Sequence, residues 1–397
     1  MKRIKLSELF VSICFLAFLF GVMALTITRE KEDYAFFENR MLASVPEYTP
    51  EGDGDGSYVN QWERYLTDHA ALRKTLLYAK TDLDLALRRP VVNETVIGDG
   101  ILLPHLPAER VNEKEVEEQA QAMAENLERI DRAVKSYGGY YCYVCVPCQY
   151  DYYADRYPSF LNNREELTRL SLDKLSQAME ERGVDFLNLS EFFARLGHPD
   201  EYSSLTDNHY SMQGAFFVYQ RILERVMERT ALEIPILREE DVIFEEMPNK
   251  YLGSRERKVF SRINLGEHLF TLRPKEEVPF TRTNNGGEEC PSSVYAMPSS
   301  EWSVLTYMFY MGGDVPETVI DTNRDELPSV LIYGDSMTNA VECIMYLSFD
   351  KMYSLDLRHY QDMSLLDYIE AVKPDVVVCI RDPEALLDLS YNGGAES

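Results

Sequence analysis

The most informative run of the sequence is Val330-Leu331-Ile332-Tyr333-Gly334-Asp335-Ser336-Met337-Thr338-Asn339. Its apolar first half predicts a buried strand, and Gly-Asp-Ser predicts a tight turn before a helix. Ser336 would then lie at the carboxyl edge of a sheet, where open α/β sheets bind ligands. It would also lie at a helix N-terminus, where free N–H groups stabilise negative charge. For this run alone, a plain helix-capping turn is the better interpretation.

Strands and helices alternate around this run. Apolar runs predict strands at 140–146, 184–189, 329–333, 351–357 and 374–380. Helical spacing of apolar residues predicts helices at 112–136, 164–182, 212–228, 337–347 and 364–372. Strands separated by helices indicate an α/β fold with a central parallel sheet. Residues 235–325 lack the alternation and are rich in turns, which predicts a mostly β insertion or loop region.

The N-terminus predicts export. Lys2, Arg3 and Lys5 precede an uncharged apolar run from Leu9 to Thr28. As a helix rising about 1.5 Å per residue, this run would cross a bilayer core of roughly 30 Å. Because basic flanks stay cytoplasmic, we expect a single-pass anchor in the cell membrane with the main domain extracytoplasmic. A cleaved signal peptide is the alternative.

Composition narrows the function classes. The 397-residue chain has 40 Lys+Arg against 67 Asp+Glu, a net charge of -27, so a nucleic-acid partner is not expected. Three of the seven cysteines, Cys142, Cys145 and Cys148, have a spacing found in iron–sulfur and zinc sites. They lie in or beside a predicted strand whose alternate residues face opposite sides, and no fourth ligand is near. Buried cysteines are therefore predicted, with no metal and no cofactor.

A second segment favours a catalytic role for Ser336. Asp207 and His209 lie two residues apart before a predicted helix, so in an extended turn their side chains point the same way. A carboxylate that fixes the imidazole tautomer makes His a general base for a serine hydroxyl. The plain alternative is that Asp207 or Ser211 caps the helix and His209 is a surface histidine.

Together, the two segments resemble the DHHW family of membrane-attached bacterial proteins. More distantly they resemble the alginate O-acetyltransferase branch of the SGNH hydrolase superfamily, where Asp-x-His also precedes Gly-Asp-Ser. The family's Asp-His-His-Trp tetrad is Asp207-Asn208-His209-Tyr210 here, so the first His and the Trp are lost. Other stretches that resemble the family are Glu38-Asn39-Arg40, Asp68-His69-Ala70-Ala71-Leu72-Arg73, Ile97-Gly98-Asp99-Gly100, Tyr251-Leu252-Gly253-Ser254, Phe309-Tyr310-Met311-Gly312-Gly313-Asp314 and Leu355-Asp356-Leu357-Arg358-His359-Tyr360.

The resemblance implies a three-layer SGNH hydrolase-like fold and assigns roles to single residues. Ser336 would be the nucleophile, His209 the general base and then acid, and Asp207 the residue that orients it. Backbone N–H groups around Ser336 would form the oxyanion site, with Asn339 and Arg358 as extra donors. Arg358 has a plain alternative, which is pairing with Asp356. Tyr210 would keep an aromatic wall for the substrate, and Asp335 would brace the turn. We expect Ser336 Oγ within hydrogen-bond reach of a His209 ring nitrogen.

These patterns divide the chain into an anchor at 1–28, a juxtamembrane linker at 29–60, two parts of the SGNH-like domain at 61–234 and 326–397, and the insertion at 235–325. The predicted function is a membrane-anchored O-acyltransferase or esterase acting on an envelope or exported polysaccharide. A membrane O-acyltransferase is the implied acyl donor. A catalytically inactive glycan-binding or scaffold protein is the main alternative, because of Asn208 and Tyr210, and a lipase-like hydrolase is a third. Transfer and hydrolysis stay open.

Overall fold

The computed structural model describes residues 6–48, 57–290 and 292–393. The α-helices are α1 (Leu6–Thr28), α2 (Tyr58–Asp68), α3 (Arg73–Ala86), α4 (Glu113–Ser136), α5 (Gln149–Tyr152), α6 (Glu165–Arg182), α7 (Ser190–Arg195), α8 (Met212–Arg229), α9 (Ser254–Lys258), α10 (Asn339–Met345) and α11 (Leu365–Val372). The strands are β1 (Tyr34–Ala35), β2 (Arg40–Met41), β3 (Val91–Val92), β4 (Thr95–Ile97), β5 (Leu102–Pro104), β6 (Tyr140–Cys145), β7 (Phe186–Asn188), β8 (Val242–Glu246), β9 (Phe270–Pro274), β10 (Thr281–Asn284), β11 (Glu288–Glu289), β12 (Glu317–Asp321), β13 (Val330–Gly334), β14 (Lys351–Asp356) and β15 (Val376–Arg381).

The chain separates into two compact units. The first comprises Met1–Thr95 with Glu256–Ile263, and the second comprises Val96–Arg255 with Asn264–Ser397. The five-part division made from the sequence stays a prediction. Its basic N-terminal residues Lys2, Arg3 and Lys5, and positions 49–56 of its linker, lie outside the described residues.

The first unit begins with α1, whose segment Leu9–Thr28 is long and apolar enough to cross a membrane. The hydroxyl of Thr26, near the end of α1, accepts the Ala71 N–H at 2.9 Å, which ties the helix to the turn before α3. Two motifs quoted above meet in this unit. Arg40 pairs with Asp68 at 2.5 Å, and Arg73 pairs with Glu38 at 2.5 Å. The two stretches, although separated in the sequence, are therefore joined by ion pairs.

The second unit is built on a sheet in the order β11-β10-β12-β14-β13-β15-β6-β7. The five strands from β14 to β7 are parallel, and they are the five strands predicted from apolar runs. Antiparallel β12 and β10 continue the sheet beyond β14. The region 235–325, expected as a mostly β insertion, thus also supplies strands to the central sheet. The predicted α/β class with a largely parallel sheet is confirmed.

One face of the sheet carries a large apolar cluster. Alternate strand residues such as Tyr141, Tyr333 and Cys379 pack there with apolar residues of α4, α6 and α11. Inside it, the Tyr141 and Tyr333 hydroxyls bond each other at 2.7 Å. Helices α8 and α10, which carry residues following the His209 and Ser336 turns, lie outside this cluster. A rigid, buried β13 therefore fixes where the turn after it begins.

The seven cysteines are all free thiols. Cys142, Cys145 and Cys148 are fully buried, and burial raises the pKa of each thiol. Cys142 and Cys145 lie within β6 and Cys148 precedes α5, and all three pack as small side chains in the interior.

Candidate active site

Three side chains from two distant segments of the second unit form a connected chain of hydrogen bonds. Ser336 Oγ lies 2.8 Å from His209 Nε2, and His209 Nδ1 lies 2.5 Å from Asp207 Oδ1. Ser336 is partly exposed, while Asp207 is buried. This is the order of groups that activates a serine hydroxyl: nucleophile, base, and a carboxylate that orients the base.

The turn that presents Ser336 is tightly determined. Strand β13 ends at Gly334, where an added Cβ would lie 2.6 Å from the Ile380 carbonyl oxygen, so only glycine fits there. Asp335 accepts the Met337 N–H at 2.9 Å and pairs with Arg381 at 2.9 Å. Because Arg381 is only 2% exposed, this ion pair anchors the turn to β15. Asp335 thus has the bracing contacts that the sequence predicted for it.

Backbone N–H groups around the turn are unequally engaged. The Met337 N–H donates to Asp335 Oδ1, and the Thr338 N–H donates to the Asp335 carbonyl. The Asn339 N–H donates to the Ser336 carbonyl. Within the described chain, no hydrogen bond uses the Ser336 N–H. It is therefore a main-chain donor at this turn that is available to an oxyanion.

The loop before α8 holds Asp207 in an ionised state. Asp207 Oδ2 accepts the Ser254 N–H at 2.6 Å, and Oδ1 accepts the Asn208 N–H at 2.8 Å. Burial by itself would raise the pKa of Asp207, but the hydrogen bond from His209 and the nearby donors hold it below its usual value. Since an ionised carboxylate only accepts, the proton of neutral His209 lies on Nδ1 and Nε2 is free to accept from Ser336.

The plain alternative for this segment is right about the cap of α8 but does not fit the burial of His209. Ser211 is the N-cap residue, and its hydroxyl accepts the Gly214 N–H at 3.1 Å. Asp207 makes no capping bond; its oxygens are used by His209, Asn208 and Ser254. His209 is largely enclosed, with a side chain 13% exposed, and it is not a surface histidine.

The three other predicted site residues, Asn339, Arg358 and Tyr210, already form hydrogen bonds or ion pairs within the protein. The Asn339 amide donates to Asp314 Oδ1 at 3.1 Å. Arg358 pairs with Asp356 at 2.6 Å and Asp314 at 2.9 Å, which is the plain alternative considered for it. Tyr210 is 2% exposed, and its hydroxyl donates to the Met337 carbonyl, so it stabilises the turn from the protein interior.

A possible cation site close to this turn already contains an arginine. Asp314, Asp356 and His359 place potential ligand atoms within 4.8 Å of one another. The Arg358 guanidinium bonds both carboxylates, so positive charge is present between them without an ion. The arrangement therefore favours an arginine-centred network over a metal centre.

Sequence reasoning missed three supporting groups. The Ser254 N–H holds Asp207, as described above. The Glu267 carboxylate accepts from the Ser204 hydroxyl at 2.9 Å, the Leu205 N–H at 3.1 Å and the Thr206 hydroxyl at 2.5 Å. The Tyr307 ring lies face to face with the His209 ring. Only Ser254 carried a signal, because it ends the Tyr251-Leu252-Gly253-Ser254 stretch; nothing local marks Glu267 or Tyr307.

Comparisons with known proteins agree with the fold. Residues 105–289 match the family model described as the SGNH hydrolase-like domain of the acetyltransferase AlgX. Bacillus cereus PatB1, solved with a sulfonyl adduct, is 21% identical with a TM-score of 0.61, covering 76% of this chain and 99% of that chain. A DHHW family protein from Eubacterium siraeum is 18% identical with a TM-score of 0.58, covering 76% of this chain and 95% of that chain. No curated protein sequence gives a match. The resemblance predicted from the sequence is confirmed, and the fold is SGNH hydrolase-like.

Proposed function

We propose that the protein is a membrane-anchored, extracytoplasmic O-acetyltransferase or esterase that acts on a polysaccharide through Ser336, His209 and Asp207. The observation that carries the proposal is the Ser336 Oγ to His209 Nε2 distance of 2.8 Å, with Asp207 buried behind the imidazole. The match to an SGNH hydrolase-like acetyltransferase family supports an O-acetyltransferase-like function but does not specify the substrate.

The reaction proceeds in two balanced steps. In the first, His209 Nε2 takes the Ser336 hydroxyl proton while Oγ attacks the acyl carbonyl of the donor, and the departing donor oxygen receives that proton. In the second, a sugar hydroxyl or water gives its proton to His209 and attacks the acyl carbon. Ser336 Oγ then leaves and regains the proton. Asp207 stays ionised throughout and stabilises the imidazolium.

The location and partners follow from two features. The apolar segment of α1 is long enough to serve as a membrane anchor, which would hold the second unit at the outer surface. Acetyl groups for a glycan outside the cytoplasm must cross the membrane, so a membrane O-acyltransferase is the proposed donor. The acceptor is a hydroxyl of an envelope or exported polysaccharide.

Active-site labelling tests the proposal. A sulfonyl fluoride should modify wild-type protein at Ser336, and Ser336→Ala should abolish the modification. His209→Ala should slow it by about 100-fold or more, the usual effect of losing a general base. Matched controls are Ser299→Ala and His105→Ala, since both residues are exposed and remote from the triad in sequence.

Two outcomes separate the proposal from its alternatives. Full labelling in both controls, together with acetyl release or transfer that depends on Ser336, supports the enzyme. Folded wild-type protein that is not labelled and releases no acetyl group would favour a glycan-binding scaffold. Preference for long acyl esters over acetyl esters in a chromogenic panel would favour a lipase-like hydrolase.

A further inference from the structure

The closest ring pair in the described chain joins Tyr307 to His209. Their centroids are 3.5 Å apart and their planes differ by 5°. The other ring pairs have centroids at 4.6 Å or more. Aromatic pairs usually prefer offset or edge-to-face arrangements, so a close parallel contact on this imidazole needs an explanation.

The Tyr307 ring is held firmly in place. Tyr307 is 9% exposed, and the edge of Tyr310 packs on it with centroids 5.2 Å apart. The Tyr310 hydroxyl donates to the Phe270 carbonyl at 3.1 Å. Just before Tyr307, Leu305 exchanges backbone hydrogen bonds of 2.9 Å with the segment at 250–252. The ring therefore acts as a fixed plate against the imidazole.

Tyr307 contacts His209 through the face of its ring, and its hydroxyl takes no part in that contact. The hydroxyl is buried and has no hydrogen-bond partner in the described chain. An unpaired buried hydroxyl contributes no stabilisation, so phenylalanine would supply the same contact. This gives a matched pair of variants that separates the ring from the hydroxyl.

The chemistry of the proposed reaction explains the stack. When Ser336 gives up its proton, His209 becomes a cation. The face of an aromatic ring attracts a cationic imidazole more strongly than it attracts a neutral one. A contact that strengthens as the charge develops lowers the barrier. The stack also fixes the plane in which Nδ1 meets Asp207 and Nε2 meets Ser336.

We propose that Tyr307 is a positioning residue that holds the His209 ring between Asp207 and Ser336 and stabilises its protonated form through the face of its own ring. This inference rests on the proposed function, because it assigns a role in a proton transfer that only an active triad performs. Tyr307 itself need touch neither acyl donor nor acceptor.

The test compares Tyr307→Phe with Tyr307→Leu in the full chain, by the rate of sulfonyl fluoride labelling at Ser336 as a function of pH. Tyr307→Phe should reproduce the wild-type profile. Tyr307→Leu should lower the plateau by about 10-fold to 100-fold, as expected for a misplaced base. Its acidic limb should move to lower pH by roughly 0.4 to 1.5 units, the equivalent of a lost cation–π contact. Tyr307→Met replaces the leucine variant if that variant does not fold.

Two results would overturn the inference: a Tyr307→Leu profile that superimposes on wild type, or a Tyr307→Phe profile that falls as far as Tyr307→Leu. A second readout does not depend on activity. The ring-current effect should place the His209 Cε1 proton upfield in wild type and Tyr307→Phe, and downfield of that position in Tyr307→Leu. Wild type that shows the ring-current effect but is never labelled would end the proposed function, and with it the catalytic role of Tyr307. Identical proton positions in all three would end the stacking inference alone.

Discussion

Replacing Gly253 with alanine should loosen the carboxylate end of the proposed triad. A Cβ at this position would lie 2.3 Å from Thr206 Oγ1 and 2.5 Å from the Thr206 carbonyl oxygen. The hydroxyl can rotate away, but the carbonyl belongs to the backbone. The segments at 253 and 206 must therefore separate by about 1 Å to reach an ordinary van der Waals contact.

The magnitude follows from the two hydrogen bonds beside the contact. The Ser254 N–H reaches Asp207 Oδ2 at 2.6 Å, and the Arg255 N–H reaches the Thr206 carbonyl at 2.9 Å. A separation of about 1 Å weakens or breaks both, which removes about 0.5–1.5 kcal/mol for the neutral bond and about 1.5–3 kcal/mol for the bond to the charge. We expect a loss of about 2–4.5 kcal/mol in the free energy of unfolding. A displaced Asp207 should also slow Ser336 labelling by about 100-fold.

Urea unfolding and the labelling rate measure the two effects. Gly197→Ala is the control, because Gly197 has φ of +78° but no atom within 4 Å of an added Cβ. It should cost about 1 kcal/mol through backbone strain alone and leave labelling unchanged. If Gly253→Ala is as stable as wild type and is labelled at the same rate, the Ser254 contact does not support Asp207 and the reasoning is wrong.

Three further substitutions test neighbouring contacts. Burial raises the pKa of Glu267 from an ordinary 4.5 to about 7, so the folded state holds this proton more tightly than the unfolded chain does. Its contribution to stability is complete below pH 4.5 and is lost as pH rises through 7, about 3 kcal/mol in all, so Glu267→Gln should flatten the fall in urea stability across that window. Arg381→Leu should cost about 3–5 kcal/mol by leaving Asp335 unpaired, and adding Asp335→Asn should recover part of that loss in a double-mutant cycle. Tyr210→Phe should cost about 1–3 kcal/mol of unfolding free energy, because the buried Met337 carbonyl loses its donor; an unchanged urea midpoint would argue against that bond.

The parts predicted correctly from the sequence depend on local patterns. Strands β6, β13 and β15 are continuous apolar runs, which buried parallel strands require, and all three are buried along their length apart from Tyr140, which is partly exposed. The turn after β13 was recognisable because Gly334 and Ser336 follow such a run directly. That Ser336 lies beside His209 was implied by the family resemblance and not by either segment alone, and the 2.8 Å contact agrees with it.

The parts that were not predictable depend on partners far away in the sequence. Strand β12 is short and bounded by Glu317 and Asp321, so its apolar content is low; pairing with β14 makes it a strand. The role of Asn339 and Arg358 as oxyanion donors stays a prediction, but both also bond Asp314, a residue whose position no local pattern reveals. Side-chain direction at such sites is set by the partner that the fold brings close.

The loop that carries the proposed base is held by groups from the turn-rich region at 235–325. The loop from 203 to 211 has few backbone bonds of its own, among them the Ser204 N–H to the His209 carbonyl at 3.1 Å. A triad needs its base fixed to within about half an ångström, which a short loop does not achieve alone. Ser254, Glu267 and Tyr307 supply what is missing: one holds the carboxylate, one holds the loop before it, and one lies on the imidazole. All three come from 235–325. The turn-rich region therefore serves as the support of the acid–base pair, and substitutions within it should change the proposed activity without touching the serine.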